Sequence, residues 1–393
     1  MIRKMIKSAV VGMAMMSVVG SAQAAQIDIN IYGASAQYLF WNDAADNFLI
    51  AQGCTGVAQA EYSDKKHGIT RGTCGANTVY IRYTSKASYD GIRAVKCQDP
   101  EGLSAGCPSA CYRRMADETA TNFTTKVVSA LSCEDVTIGA SDVEADAFNQ
   151  ESHGALKGHL GGVWTDRFIN GVDDSGLNSY RPLVVPFGFF KNNSVPYTNL
   201  TRLMAVHLFS GQVNNWQSFD MAQDNQDVVV CLRHAGSGTH ATLDAAVMRG
   251  DLPLVIEENQ VPFLGSVKWF NDGSSDMMKC IDQNAGAIGY ADSDALKNPA
   301  TYPNTSAVTY MGVSAVKANV VQGMYDFWSA QWLFESPTDA NYGTTHSWVT
   351  ALNTFASNPA NLPASTQAFW ATQSEMKVTK ANSFAFPTRT VEP

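Results

Sequence analysis

Apolar and polar positions alternate from Gln26 to Tyr32, the two-residue period of a β-strand. Gly33-Ala34-Ser35-Ala36 breaks that period, and the run carrying Tyr38, Leu39, Phe40, Trp41 and Phe48 predicts a helix. Thr78–Tyr83 and Val136–Gly139 predict two more strands. Pro182–Phe190 is almost continuously apolar, which predicts a buried strand or crossover, and Leu200–Phe209 reads as a helix. Val228–Leu232 predicts a buried strand running into Gly236-Ser237-Gly238-Thr239, with a helix following through Leu243, Ala246 and Val247. Gly286–Tyr290 is a further short strand, and helices are expected around Met324–Phe334 and Trp348–Ala356. Strands alternating with helices predict an α/β protein built on a parallel sheet.

The start of the chain changes the picture. Arg3, Lys4 and Lys7 precede an apolar stretch from Ala9 to Val19, and Ala22-Gln23-Ala24 supplies a small-x-small cleavage pattern. Residues 1–24 are therefore expected to be a signal peptide. The apolar stretch is short for a membrane span, and no cysteine stands at the cleavage point to carry a lipid. About 370 residues would remain, enough for two domains with real cores. The whole chain carries a net charge of -9, which becomes -12 once the three basic leader residues are removed. An acidic protein is a poor partner for nucleic acid, but a helix N-terminus and one arginine can still bind an anion locally.

Eight cysteines in an exported chain predict disulfides. No Cys-x-x-Cys occurs, and Cys107-x-x-x-Cys111 is the nearest approach to a metal-binding spacing. Cys231 and Cys280 are expected to pair because no other cysteine lies in that region. For the rest, Cys54–Cys74, Cys97–Cys133 and Cys107–Cys111 are the expected bridges, the last two stapling an insertion over residues 97–133.

The densest candidate chemistry is Arg233-His234-Ala235-Gly236-Ser237-Gly238-Thr239, between a buried strand and a helix. Unpaired N–H groups at a helix start attract anions, glycines allow close approach, and an arginine fork matches a tetrahedral oxyanion. The plainer alternative is a Ser/Thr cap beside a solvent-facing arginine. The motif is not a nucleotide P-loop, because His240 stands where a lysine pattern would continue, and it is not a Gly-x-Ser-x-Gly elbow. His234 and His240 are expected to be solvated or capping, and His153 and His159 show no metal-site spacing. Trp216, Trp269 and Trp332 read as packing residues.

In this motif the chain resembles the phosphate-binding proteins of ABC transporters, whose Arg-Ser-Asp-Gly-Ser-Gly-Thr is similar to residues 233–239. Four further segments match in family order: Gly33-Ala34-Ser35-Ala36-Gln37-Tyr38, Gly139-Ala140-Ser141-Asp142, Leu208 to Trp216, and Gly286-Ala287-Ile288-Gly289-Tyr290. The resemblance implies two α/β lobes of the type II-like periplasmic binding fold with a ligand cleft between them. It places lobe 1 at residues 25–187 plus 295–393 and lobe 2 at 188–294. It implies a monomeric periplasmic binder that hands phosphate or a related oxyanion to a membrane ABC permease, with no cofactor, no metal and no catalytic residues. The ligand residues it implies are Arg233, Ser237, Gly238, Thr239, Asp142 and Ser88, with Ser85 as a rival for the last, and Gln37 at the family's first-loop threonine.

Asp142 is the discriminating residue. A carboxylate beside a dianion is costly unless a proton lies between them, and monohydrogen phosphate brings that proton where sulfate does not. The alternative for Asp142 is a helix cap. The family's aspartate before Gly-Ser-Gly-Thr is Ala235 here, which would leave Arg233 without its acidic brace. Two rival functions remain: an accessory or adhesion protein that kept the fold without a transport ligand, and a phosphate-ester hydrolase using Ser237 beside His234 or His240.

Overall fold

The computed structural model describes residues 25–150, 156–159, 161, 163–164, 171–250 and 267–390. The expected signal peptide and His153 lie outside the described residues. Strand β1 (Gln26–Ala34) pairs in parallel with β4 (Asn77–Lys86) and with β5 (Ile138–Ser141). Its alternating isoleucines Ile27, Ile29 and Ile31 are buried, and so are Asn30 and Tyr32 on the opposite face. Both faces are covered, as a parallel sheet requires. Helix α1 (Tyr38–Ala51) packs on β2 (Thr55–Tyr62), β3 (His67–Cys74) and β4, while α2 (Ser88–Val95) packs on β1 and β5. Strands β2, β3 and β4 form an antiparallel meander at the outer side of this parallel core.

The strand β6 (Asn178–Asn192) is the spine of the molecule. Its first half pairs antiparallel with β11 (Trp328–Glu335), and its second half with β9 (Ala287–Asp292) and β10 (Thr305–Tyr310). Register slips between Tyr180 and Leu183, at Pro182, which has no N–H to give to the ladder. Beyond β9, β7 (Val229–Arg233) pairs in parallel with β9 and with β8 (Val267–Asn271). The strand order β8-β7-β9-β6-β11-β5-β1-β4-β3-β2 thus divides at β6 into two lobes. Helix α3 (Arg202–Phe209), helix α4 (Gly238–Leu243), continued by a π-helical turn at Asp244–Met248, and helix α5 (Ser274–Gln283) serve the second lobe. Helix α6 (Tyr342–Ala356) packs on β1 and β6.

Two expectations are corrected here. The segment predicted as a helix at Met324–Phe334 is a strand from Trp328 onward. It lies between β6 and β5, so nearly all its side chains are enclosed and no period survives in the sequence. Of the expected disulfides, Cys54–Cys74 and Cys231–Cys280 form, but the insertion is stapled as Cys97–Cys111 and Cys107–Cys133. The hairpin of Tyr112–Ala116 with Leu131–Asp135 decides this. Arg113 at its start donates from Nη2 to Gln98 O at 3.0 Å, drawing Cys111 against the end of α2 where Cys97 sits.

Candidate anion-binding site

The ends of β5 and β7 and the starts of α2 and α4 come together where the lobes meet. Gly91 and Gly139 let α2 lie directly on the sheet, since a β-carbon at 91 would stand 2.7 Å from Tyr32 O. That docking puts Ser88, the first residue of α2, beside Asp142, the residue after β5. Asp142 N donates to Ser88 Oγ at 3.1 Å. From the other lobe, Thr239 Oγ1 donates to Asp142 Oδ2 at 3.3 Å, and Tyr89 N donates to Gly236 O at 3.3 Å. Gly238 closes the contact: a β-carbon there would lie 2.7 Å from Asp142 Cβ and collide with Ser88 Oγ. Ser88, Asp142, Gly238 and Thr239 therefore form one buried cluster spanning the lobes. Of the two serines considered, Ser88 belongs to this cluster through its bond from Asp142 N.

Arg233 ends β7 behind this cluster and is 2% exposed, so the solvent-facing alternative does not hold. Its Nε donates to Asn271 O at 3.0 Å and its Nη2 to Asp272 O at 2.8 Å. The brace expected to be lost with Ala235 is supplied by two backbone carbonyls. Burial lowers the Arg233 pKa, opposed by Asp272, Tyr290 and Asp142. Ser237 is the N-cap of α4, its Oγ accepting from His240 N at 3.3 Å.

Asp142 is the electrostatic centre. Burial pushes its carboxyl up to about 6, against the lowering effect of the Arg233 charge and of the Thr239 and Ser88 hydroxyls. Oδ1 is buried and has no hydrogen-bond partner among the described residues. A buried carboxylate oxygen without a partner is expensive, so this atom is where a proton donor would be most strongly held.

Gln37 is placed differently from the others. Its Nε2 donates to Ser141 O at 2.9 Å and its Oε1 accepts from Trp41 Nε1 at 2.8 Å. Both ends of the amide are engaged, the nitrogen on the residue before Asp142 and the oxygen on the indole of α1. His234 and His240, expected to be solvated or capping, are both buried. Tyr290 Oη accepts from Arg233 N at 3.0 Å and stands 2.5 Å from His240 Nδ1, which leaves the tyrosine proton for that nitrogen. Burial and the Arg233 charge hold the His240 imidazole down at about 3, so it is neutral. Tyr290, Asn271 and Asp272 were not singled out from the sequence. Tyr290 stood in a matched segment, but the other two act through backbone oxygens that no residue type advertises.

No protein-family model matches the chain. Among solved structures it is similar to a DING protein, at TM-score 0.51 and 15% identity over 91% of this chain and 96% of that one. It is also similar to the phosphate-bound structure of a protein from Clostridium perfringens assigned as a phosphate ABC transporter substrate-binding protein. That match has TM-score 0.50 and 15% identity, over 84% of this chain and 93% of the other. The fold is that of the two-lobed phosphate-binding proteins. The expected α/β two-lobed architecture is thereby borne out, with the cluster around Asp142 at the junction of its lobes.

Proposed function

We propose that this chain is a periplasmic solute-binding protein that captures phosphate, or a closely related protonated oxyanion, as a monomer and delivers it to a membrane ABC permease. The unpartnered Asp142 Oδ1, buried within the field of Arg233, carries the proposal. An acceptor-only oxygen in that place favours a ligand that is anionic overall and still has a hydroxyl to donate. Monohydrogen phosphate meets both conditions and sulfate meets one. Arg233 supplies the counter-charge, and the Ser88 and Ser237 hydroxyls and the α4 backbone N–H groups of Gly238 and Thr239 supply neutral donors. Gln37 is assigned a supporting role behind Asp142 rather than a direct contact.

The surroundings of Ser237 support binding over ester hydrolysis. Its hydroxyl is engaged as a helix cap, and the adjacent imidazole presents Nδ1 to Tyr290. Four disulfides support an exported chain. In this reading the second lobe runs past the expected boundary at 294. It takes in β10, which pairs with Phe189–Asn192, and ends at a second crossover where Phe187 N meets Phe327 O at 2.9 Å.

The test is selectivity. Asp142→Asn keeps the size of the side chain while adding a donor and removing the charge. Sulfate binding should gain on phosphate by about 1–3 kcal/mol in titration calorimetry. Equal affinity of the wild type for both anions, or an unmoved ratio in the variant, sinks the phosphate assignment.

A further inference from the structure

A second set of charges crosses between the lobes beside the anchor of Arg233. Lys66, just before β3, and Lys86, the last residue of β4, belong to the first lobe. Asp272, just after β8, and Asp276, in α5, belong to the second. Lys66 Nζ stands 3.0 Å from Asp272 Oδ2 and 3.9 Å from Asp276 Oδ2, while Lys86 Nζ stands 3.6 Å from Asp272 Oδ1. Both oxygens of one carboxylate are thus faced by ammonium groups from the opposite lobe. The backbone oxygen of the same residue accepts the Arg233 guanidinium. The four side chains are 21–34% exposed, which puts them at the rim of the lobe junction and not in a core.

We propose that Asp272 is the closing latch of the cleft, its carboxylate pinning the two lobes together through Lys66 and Lys86 while its carbonyl fixes Arg233. The ligand in this proposal is that of the anion-binding reading above, but the latch itself requires no ligand. Ala235 gives the arrangement its logic. With no acidic side chain bonded to it among the described residues, the arginine is held by neutral carbonyls and keeps its charge for the anion. The acidic side chain that is present is directed at the facing lobe. Partly exposed ion pairs are individually weak and are screened by salt. Here they break together in a single opening motion, so their sum acts on one two-state equilibrium.

The full mature chain carrying Asp272→Asn, and a second variant carrying Lys66→Met with Lys86→Met, test this. Neither change removes the Asp272 carbonyl. Small-angle scattering of the ligand-free protein should show a compact wild type at low salt that expands at high salt, with both variants expanded and insensitive to salt. Phosphate should leave both variants about three- to tenfold faster than wild type, with association little changed. Identical scattering of wild type and both variants overturns the latch. So does an effect of Asp272→Asn that the lysine variant does not reproduce, because Asp272 would then act only within its own lobe. A wild type that binds neither phosphate nor arsenate, yet shows the scattering difference, upholds the latch and overturns the anion-binding reading instead.

Discussion

Asp142 sits in surroundings that penalise its own charge. Burial is the larger effect, and the pull of Arg233 and the bond from Thr239 only partly offset it, so the carboxyl titrates at about 6. A group whose pKa rises on folding contributes stability below its unfolded value and loses that contribution as pH climbs through the folded one. The ligand-free protein should therefore lose stability from this residue as pH rises from about 4 to about 6. Asp142→Asn removes the penalty. It should stabilise the ligand-free protein at neutral and higher pH by about 1–3 kcal/mol, with the gain shrinking as pH falls through about 6. Denaturant titrations of both proteins across that range measure it, and a gain that does not vary with pH refutes the assignment. Residue identities made this much visible beforehand, because Arg233, Asp142 and the glycine-flanked hydroxyls carry their chemistry in their side chains. Gln37 was harder to place. A glutamine can bind a ligand or tie a backbone, and its bonds to Ser141 O and Trp41 Nε1 depend on positions that no residue type reveals.

At the scale of elements, β7 and α5 matter most, because β7 carries Arg233 and α5 packs on that strand. Cys231 and Cys280 join them across 49 residues of sequence. Replacing both cysteines by alanine should cost about 2–5 kcal/mol in denaturant unfolding. An unchanged unfolding midpoint would mean that the bridge constrains nothing. This pair was readable because two cysteines stand alone in their region. The four cysteines of the insertion allow three pairings, and the choice belongs to a hairpin whose docking on α2 rests on Arg113 reaching a backbone carbonyl. The strand at Trp328–Glu335 was missed for a related reason: enclosure between two neighbours removes the alternation by which a strand is recognised.

For the whole molecule the decisive contact is the one that needs no side chain at all. At Gly238 the lobes meet with room for a hydrogen and nothing more, since a β-carbon would lie 2.7 Å from Asp142 Cβ and 3.0 Å from Ser88 Cβ. Gly238→Ala should leave each lobe folded and hold the pair apart. Anion affinity should fall by about ten- to a hundredfold, the equivalent of overpacking a close contact by about 1–3 kcal/mol. Calorimetry checks the affinity and the melting temperature checks the folding; full binding in the alanine variant would show that the closed contact is not the binding state. The sequence by itself determined the α/β class, the glycine-rich turn after a buried strand, the charge available for an anion and two of the four disulfides. Each of these follows from local periodicity, residue chemistry or an isolated pair. The tertiary structure alone decided that Asp142 keeps one oxygen unpartnered among the described residues, that Arg233 rests on the carbonyls of Asn271 and Asp272, and that lysines of one lobe face a carboxylate of the other. Those are meetings between groups 38 to 206 residues apart, some of them with backbone oxygens, and neither distance in the chain nor a carbonyl oxygen leaves a mark in a string of side chains.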